Sequence, residues 1–294
     1  MFELEICVDS VESALAAQAG GAQRVELCGA ISEGGLTPSL GMIGAVRERI
    51  GIGVFVMIRP RCGDFVYTEE EWRVMRRDLA LAGGAGADGV VLGILQQDGR
   101  IDIERTRALV EEAAPMHVTF HRAFDVTPNL EEGLDGVMAT GAHRILTSGG
   151  AENATEGSVC VRSLVQRANC QVRIMIGGHV RPENVGAIAE ATGAREFHAS
   201  LRVPVASPVT WRHPSLRLGH TGCEDDVRYQ VFAEDVRQLR EAIDRQGMRQ
   251  GPGNREQGAG IAPQAVQCIS ATSSRSSPRT SLSSFGKPLS IVTT

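Results

Sequence analysis

Eight short apolar or β-branched runs recur along the chain, at 3–8, 24–28, 54–59, 89–95, 117–121, 144–147, 172–177 and 195–200, and segments with helical spacing fill the gaps between them. This alternation constrains the fold more than any other feature, because a period of two and a period of 3.6 cannot trade places without exposing apolar surface. The runs begin about every 20 to 35 residues, the spacing of βα units. Helices are predicted over 11–19, 40–50, 69–82, 102–114, 130–140, 154–168, 182–191 and 227–246. Asp9 or Ser10 can cap the first of these, and Gly20-Gly21 can stop it. Gly-Ala pairs at 21–22, 86–87, 141–142 and 193–194 mark places where a helix ends and a strand begins. Eight such units in one chain predict a single (β/α)8 barrel over 1–247. An open doubly wound sheet is the alternative, since a strand count does not prove closure.

The segment 201–223 contains Pro204, Pro208, Pro214 and Gly219 and shows no periodicity. A long loop there would leave the last strand on the face where barrels carry their sites, and Trp211-Arg212-His213 could form a lid. Residues 248–294 turn Gly-, Ser-, Pro- and Thr-rich, a composition that cannot bury a core, so a disordered tail is expected.

Net charge narrows the partners. The chain carries −5 overall while the tail is basic, so the barrel body is acidic and ill suited to nucleic acid. No apolar run is long enough to span a bilayer. No basic-then-apolar leader precedes the first strand, and the expected location is cytoplasmic. The seven cysteines are an odd number without CxxC pairs, which argues against a disulfide framework or a zinc finger. The sequence leaves room for a homo-oligomer.

Strand parity then suggests what fills the barrel. If Leu4, Ile6, Val8, Val25 and Leu27 pack against helices, Glu5, Cys7, Glu26 and Cys28 turn inward. The same rule places Phe55, Met57, Arg59, Thr119, His121, Glu196, His198 and Ser200 in the lumen. Barrel interiors are normally filled by branched apolar side chains, and unpaired buried charges cost several kcal/mol each. Glu5, Glu26 and Arg59 are therefore expected to pair with one another, either as a structural ion cluster or as a site. Glu26, Arg59 and His121 should meet at the carboxyl ends of strands two, three and five, where Glu26 and His121 could exchange protons in an enzyme.

Loops beyond the strand ends add further groups. The stretches 32–39 and 59–65 place Glu33, Arg61 and Asp64 beside glycines, and the stretch Val118–Asp125 ends in His121, Arg122 and Asp125. Ser148, Gly149, Gly177 and Gly178 follow the sixth and seventh strands, where backbone N–H groups often hold phosphate. With Arg59, Arg61 and Arg122 nearby, this face is expected to take a small anionic ligand, phosphorylated metabolites included. Cys7 and Cys28, on neighbouring strands, offer a second option: paired soft thiolates suit Cu(I).

The phrases VELC (25–28), EGGLTPS (33–39), MIRPRCGDF (57–65), TFHRAFD (119–125), LTSGG (146–150) and EFHAS (196–200) together resemble the CutC copper homeostasis family over about residues 3–246. The resemblance implies a TIM-like barrel and a cytoplasmic role in copper binding or tolerance. It also implies a polar cluster of Glu26, Glu33, Arg59, Arg61, Asp64, His121, Arg122, Asp125 and His198, with Cys28 as a copper thiol. The chain departs from the family pattern at Cys62, where glycine is usual, and at His179, which adds an imidazole to a glycine-rich turn.

Overall fold

The computed structural model describes residues 2–211, 213–216 and 227–249. The strands β1 (Glu3–Val8), β2 (Arg24–Leu27), β3 (Gly53–Met57), β4 (Gly89–Leu92), β5 (His117–Phe120), β6 (Arg144–Thr147), β7 (Arg173–Ile176) and β8 (Glu196–Ala199) alternate with helices. All eight pair in parallel, and the pairing of β1 with β8 closes the barrel. Closure removes the open sheet from consideration.

The helices are α1 (Val11–Ala19), α2 (Leu40–Arg49), α3 (Glu69–Gly84), α4 (Ile103–Ala113), α5 (Leu130–Thr140), α6 (Ser158–Ala168), α7 (Val185–Thr192) and α8 (Ala233–Arg249). Their starts follow local chemistry. Ser10, Ser39, Asp102 and Asn129 each accept a backbone N–H from the first turn, and Thr68 forms a reciprocal capping box with Glu71. No described helix is long and apolar enough to cross a membrane.

The last unit differs from expectation. Residues 203–206 are not loop: β9 (Val203–Ala206) pairs antiparallel with β10 (Val227–Gln230), and α8 begins only after that strand. Val227 and Val231 thus leave the helix, Val231 remaining buried just before it, while Val236, Leu239 and Ile243 still form its buried stripe. Alternating strand residues and helix-like periodicity overlap in a short segment, so the boundary was not visible from apolar spacing alone. Trp211 is exposed, and Arg212 and the tail from 250 onward lie outside the described residues.

Parity sorts the core into two clusters. Leu4, Ile6, Val8, Val25, Leu27, Val54, Val56 and Ile58 belong to the large core between sheet and helices. Cys7, Cys28, Phe55, Met57 and Val91 form a separate small cluster inside the barrel. A one-residue slip of any strand would exchange these sets, so the register is strongly specified. Phe55 lies over its register partner Gly89 on the neighbouring β4, where a Cβ would stand 2.4 Å from its ring, and only glycine allows that approach.

Candidate functional site

The lumen has two polar layers. In the lower one, Arg24 donates from Nε to Glu5 Oε2 at 2.6 Å and from Nη2 to Glu196 Oε2 at 2.7 Å, and Arg144 also donates to Glu196. The guanidinium carbons of Arg24 and Arg144 each lie 5.5 Å from the centroid of the Phe55 ring. Burial alone would raise the Glu5 pKa, yet Arg24 and His198 outweigh it and hold the carboxyl at about 2. Among the described residues, Glu5, Arg24, Arg144 and Glu196 leave no buried polar atom without a partner.

This arrangement corrects the expected pairing of Glu5, Glu26 and Arg59. Glu5 pairs with Arg24 and His198, whereas Arg59 donates to the backbone carbonyls of Glu33 (3.1 Å), Gly35 (3.2 Å) and Gly63 (2.7 Å). Arg24 and Arg144 are the residues that sequence reasoning missed. The signal was present, because Arg24 shares its face with Glu26 and Cys28, two and four residues on.

The upper layer surrounds a cavity of about 200 Å³ at the carboxyl ends of the strands, lined among others by Cys7, Glu26, Arg59, Phe65, His121 and His198. Glu26, Arg59 and His121 thus face one space, and all three are buried. Ligand atoms of Cys7, Glu26 and His198 lie within 4.8 Å of one another. Cys28 stands outside that triad, with its thiol 3.6 Å from Glu26 Oε2. The His198 Nδ1 lies 2.8 Å from Glu5 Oε1, so the lower layer fixes the ring and turns Nε2 toward Glu26, 3.8 Å away. A carboxylate behind a histidine in this way sets its tautomer and raises its basicity as a ligand.

The electrostatics of the triad favour separated charge. A hydrogen bond from Cys28, opposed by burial and reinforced by His198, lowers the Cys7 pKa to about 5. That same contact with Cys7, together with burial, pushes the Cys28 thiol well up. Burial would lower the His198 pKa, but Glu26, Cys7 and Glu5 hold it well above the usual value. Burial raises the Glu26 carboxyl, and the neighbouring acidic groups Cys7 and Glu5 add to the shift against His198. A thiolate beside an imidazolium is a site whose proton a metal ion can replace.

The remaining predicted groups are spent elsewhere. Arg61 is half-exposed and donates to Glu71 Oε1 at 2.6 Å and to Asp64 Oδ1 at 3.1 Å, which ties down the loop after β3, and the Asp64 side chain is largely exposed. Glu33 contributes a backbone carbonyl to Arg59. Arg122 reaches the cavity rim but is bound to Asp125 (2.8 Å) and Ser148 (2.6 Å). The backbone N–H groups of Ser148 and Gly150 donate to the Asp125 carboxylate at 3.0 and 3.1 Å. Gly149 N–H goes to Thr147 Oγ1, and Gly177 N–H to the Thr147 carbonyl. Gly178 lends its carbonyl to Ala154 N–H. The N–H groups of the turn after β6 are thus taken by Asp125 and Thr147, and none of Glu33, Arg61, Asp64, Asp125, Ser148, Gly149, Gly177 or Gly178 lines the cavity. A larger groove of about 710 Å³ lies on the outer wall between α4 and α5. It mixes Arg100 and Arg107 with Glu104 and Glu132, contains none of the lumen groups, and offers no consistent charge to a ligand.

Comparison with known proteins bears on this geometry. The sequence model of the CutC family matches residues 2–203. A family protein CutC from Chromobacterium violaceum is 46% identical over 242 residues, covering 82% of this chain and 98% of its own. The human copper homeostasis protein cutC homolog is 42% identical over 240 residues, covering 81% and 87%. The crystal structure of a CutC protein from Streptococcus agalactiae superposes with a TM-score of 0.64 at 36% identity, covering 67% of this chain and 98% of that one.

Proposed function

Because the chain belongs to the CutC family, whose relatives are named for copper homeostasis, we propose that it serves copper homeostasis by binding Cu(I) at the mouth of the barrel lumen. The observation that carries this reading is the convergence of Cys7, Glu26 and His198 within 4.8 Å, with His198 oriented from behind by Glu5. Cys7 and His198 Nε2 are the primary donors, a soft thiolate and an imidazole, which suit this ion better than the carboxylate does. Glu26 closes the site and takes up charge, and Cys28 supplies a second thiol at its edge. His198 thus joins Cys7 beside the Cys28 expected from the sequence. Paired thiols and cuprous ion both require a reducing environment, which supports a cytoplasmic setting.

Binding replaces a proton on His198 Nε2 and leaves Cys7 as the thiolate it already favours, so loading releases little from the thiol and more from the ring. The test is titration of the reduced full chain with Cu(I) against a competing chelator. Cys7→Ser and His198→Gln should each weaken binding by at least about tenfold, as loss of a direct ligand does, and Cys28→Ser should weaken it less. Equal affinity in wild type and Cys7→Ser would rule out the site.

A further inference from the structure

The wall of the cavity opposite the thiols has a different character. Arg59 is buried, and among the described residues no carboxylate lies within ion-pair distance of it. Its Nε carries a proton with no acceptor, while Nη1 and Nη2 are held by three backbone carbonyls. His121 is equally buried. Its Nδ1 accepts the Ala123 backbone N–H at 3.1 Å, so a neutral ring carries its proton on Nε2, and that atom also has no partner. Burial, with the Arg59 charge adding to it, drives the His121 pKa down to about 3, which keeps the ring neutral.

Two buried donors and one positive charge without a paired carboxylate thus line the same small cavity, and no acceptor of the protein, the Glu26 carboxyl across the space included, lies within hydrogen-bond distance of either donor. Leaving such groups without hydrogen bonds is costly, and a fold that holds them rigidly presents them as donors to a ligand. Rigidity is evident: three carbonyls fix the guanidinium, and the imidazole lies so close over β4's exit that a Cβ on Gly93 would stand 2.6 Å from it.

One residue covers both donors. The Phe65 ring centroid lies 4.9 Å from the Arg59 guanidinium carbon and 4.9 Å from the centroid of the His121 ring. Phe65 is itself half-buried and sits in the loop after β3, which turns at Gly63 with φ of 88°. The ring is the part of this wall that can move without breaking a hydrogen bond. We propose that Arg59 and His121 form a binding site for a small carboxylate, capped in this structure by Phe65, which swings aside when the ligand enters. The ligand's oxygens accept from Arg59 Nε and His121 Nε2, and its short apolar body lies against Met57, Leu146 and the displaced Phe65 ring. A carboxylate fits better than a phosphate ester. The cavity is at the low end for any metabolite, its other lining is largely apolar by area, and the N–H groups of Ser148 and Gly150 that could have held phosphate are taken by Asp125.

This proposal does not depend on copper, and its test reads a different atom. In the full chain labelled with 15N-histidine, the ring signals of His121 and His198 are followed while pyruvate or acetate is added to the copper-free, reduced protein. The expected result is a saturable shift of the His121 Nε2 resonance, affinity lower by about tenfold in Arg59→Lys, where a point charge replaces the fork, and higher in Phe65→Ala, where the cap is gone. Should Arg59→Lys fail to fold, Phe65→Ala decides alone, since that side chain makes no hydrogen bond. Absence of a saturable His121 shift in both wild type and Phe65→Ala overturns the proposal. So does an equal, non-saturating drift of all histidine signals. Cu(I) added to the same sample should move His198 and leave His121 in place, so failure of one site is seen separately from failure of the other.

Discussion

The two polar layers of the lumen are built from the same residue types and behave in opposite ways. Below, Glu5, Arg24, Arg144 and Glu196 exhaust one another's hydrogen bonds around Phe55. Above, Glu26, Arg59 and His121 are as deeply buried, yet each retains a polar atom with no partner. Burying charge is costly in either case, so the lower layer is retained as structure only because its account closes, and the upper layer is retained although it does not. The difference separates scaffold from site more sharply than burial or charge alone, and each layer can be challenged separately.

The largest effect should come from the lower layer. Arg24→Met removes the cation shared by Glu3, Glu5 and Glu196 and leaves the buried carboxyls of Glu5 and Glu196, on neighbouring strands, without it. Breaking one member of a buried network costs roughly 3–5 kcal/mol, so chemical denaturation should show the midpoint falling with little change in slope. A loss below about 1 kcal/mol would mean that the layer tolerates an unpaired charge and that the contrast between layers is false.

A smaller effect should appear on acidification, and its sign identifies the upper layer. His121 has its pKa lowered from 6.5 to about 3 in the fold. The unfolded chain therefore binds the proton first, and the stability tied to the neutral ring is complete above the unfolded pKa and drains away as pH falls below it. Between about pH 7 and pH 5 that loss is roughly 2 kcal/mol. His198 works in the opposite sense, because its raised pKa favours the fold at low pH and the gain is lost as pH rises through the folded value. The decisive quantity is accordingly the difference between wild type and His121→Gln. The variant should lose less stability over this interval, and identical pH profiles would show that His121 is not held neutral by burial.

Much of this contrast was legible before the structure. Alternation of apolar and polar positions put Glu5, Cys7, Glu26, Arg59, His121 and His198 on the inner face, and all lie there. Parity reports direction, however, and says nothing of partner choice. Glu5 chose Arg24 over Arg59 because parallel pairing sets Glu5 beside Arg24, while Arg59 lies beyond the end of β3 among loop carbonyls. The glycine turn after β6 shows the same limit. That turn does present the Ser148 and Gly150 N–H groups to an anion, but the anion is Asp125, reaching in from the short turn after β5. A sequence shows which groups can bind an anion and not which anion arrives first.

The smallest stability effect, and the most informative about function, is expected at Glu26. Its carboxyl is pushed well up by burial, its Oε1 has no partner, and its Oε2 receives the Cys28 thiol at 3.6 Å. A group whose acidic pKa is raised in the fold favours the folded state below its unfolded value and opposes it as pH rises past that value, because only the unfolded chain then ionises freely. Glutamine has the same shape and cannot ionise. Glu26→Gln should thus change stability by less than about 1 kcal/mol near neutral pH, with the removal of the ionisation penalty offset by the weaker support given to His198. Copper affinity should fall in the same variant, since an amide is a poor substitute for the carboxylate that closes the triad. A calorimetric unfolding scan and the chelator competition, run on one preparation, separate the two quantities. Strong destabilisation would place Glu26 with the saturated layer below, as one more structural charge, and would leave Cys7 and His198 as a two-coordinate site.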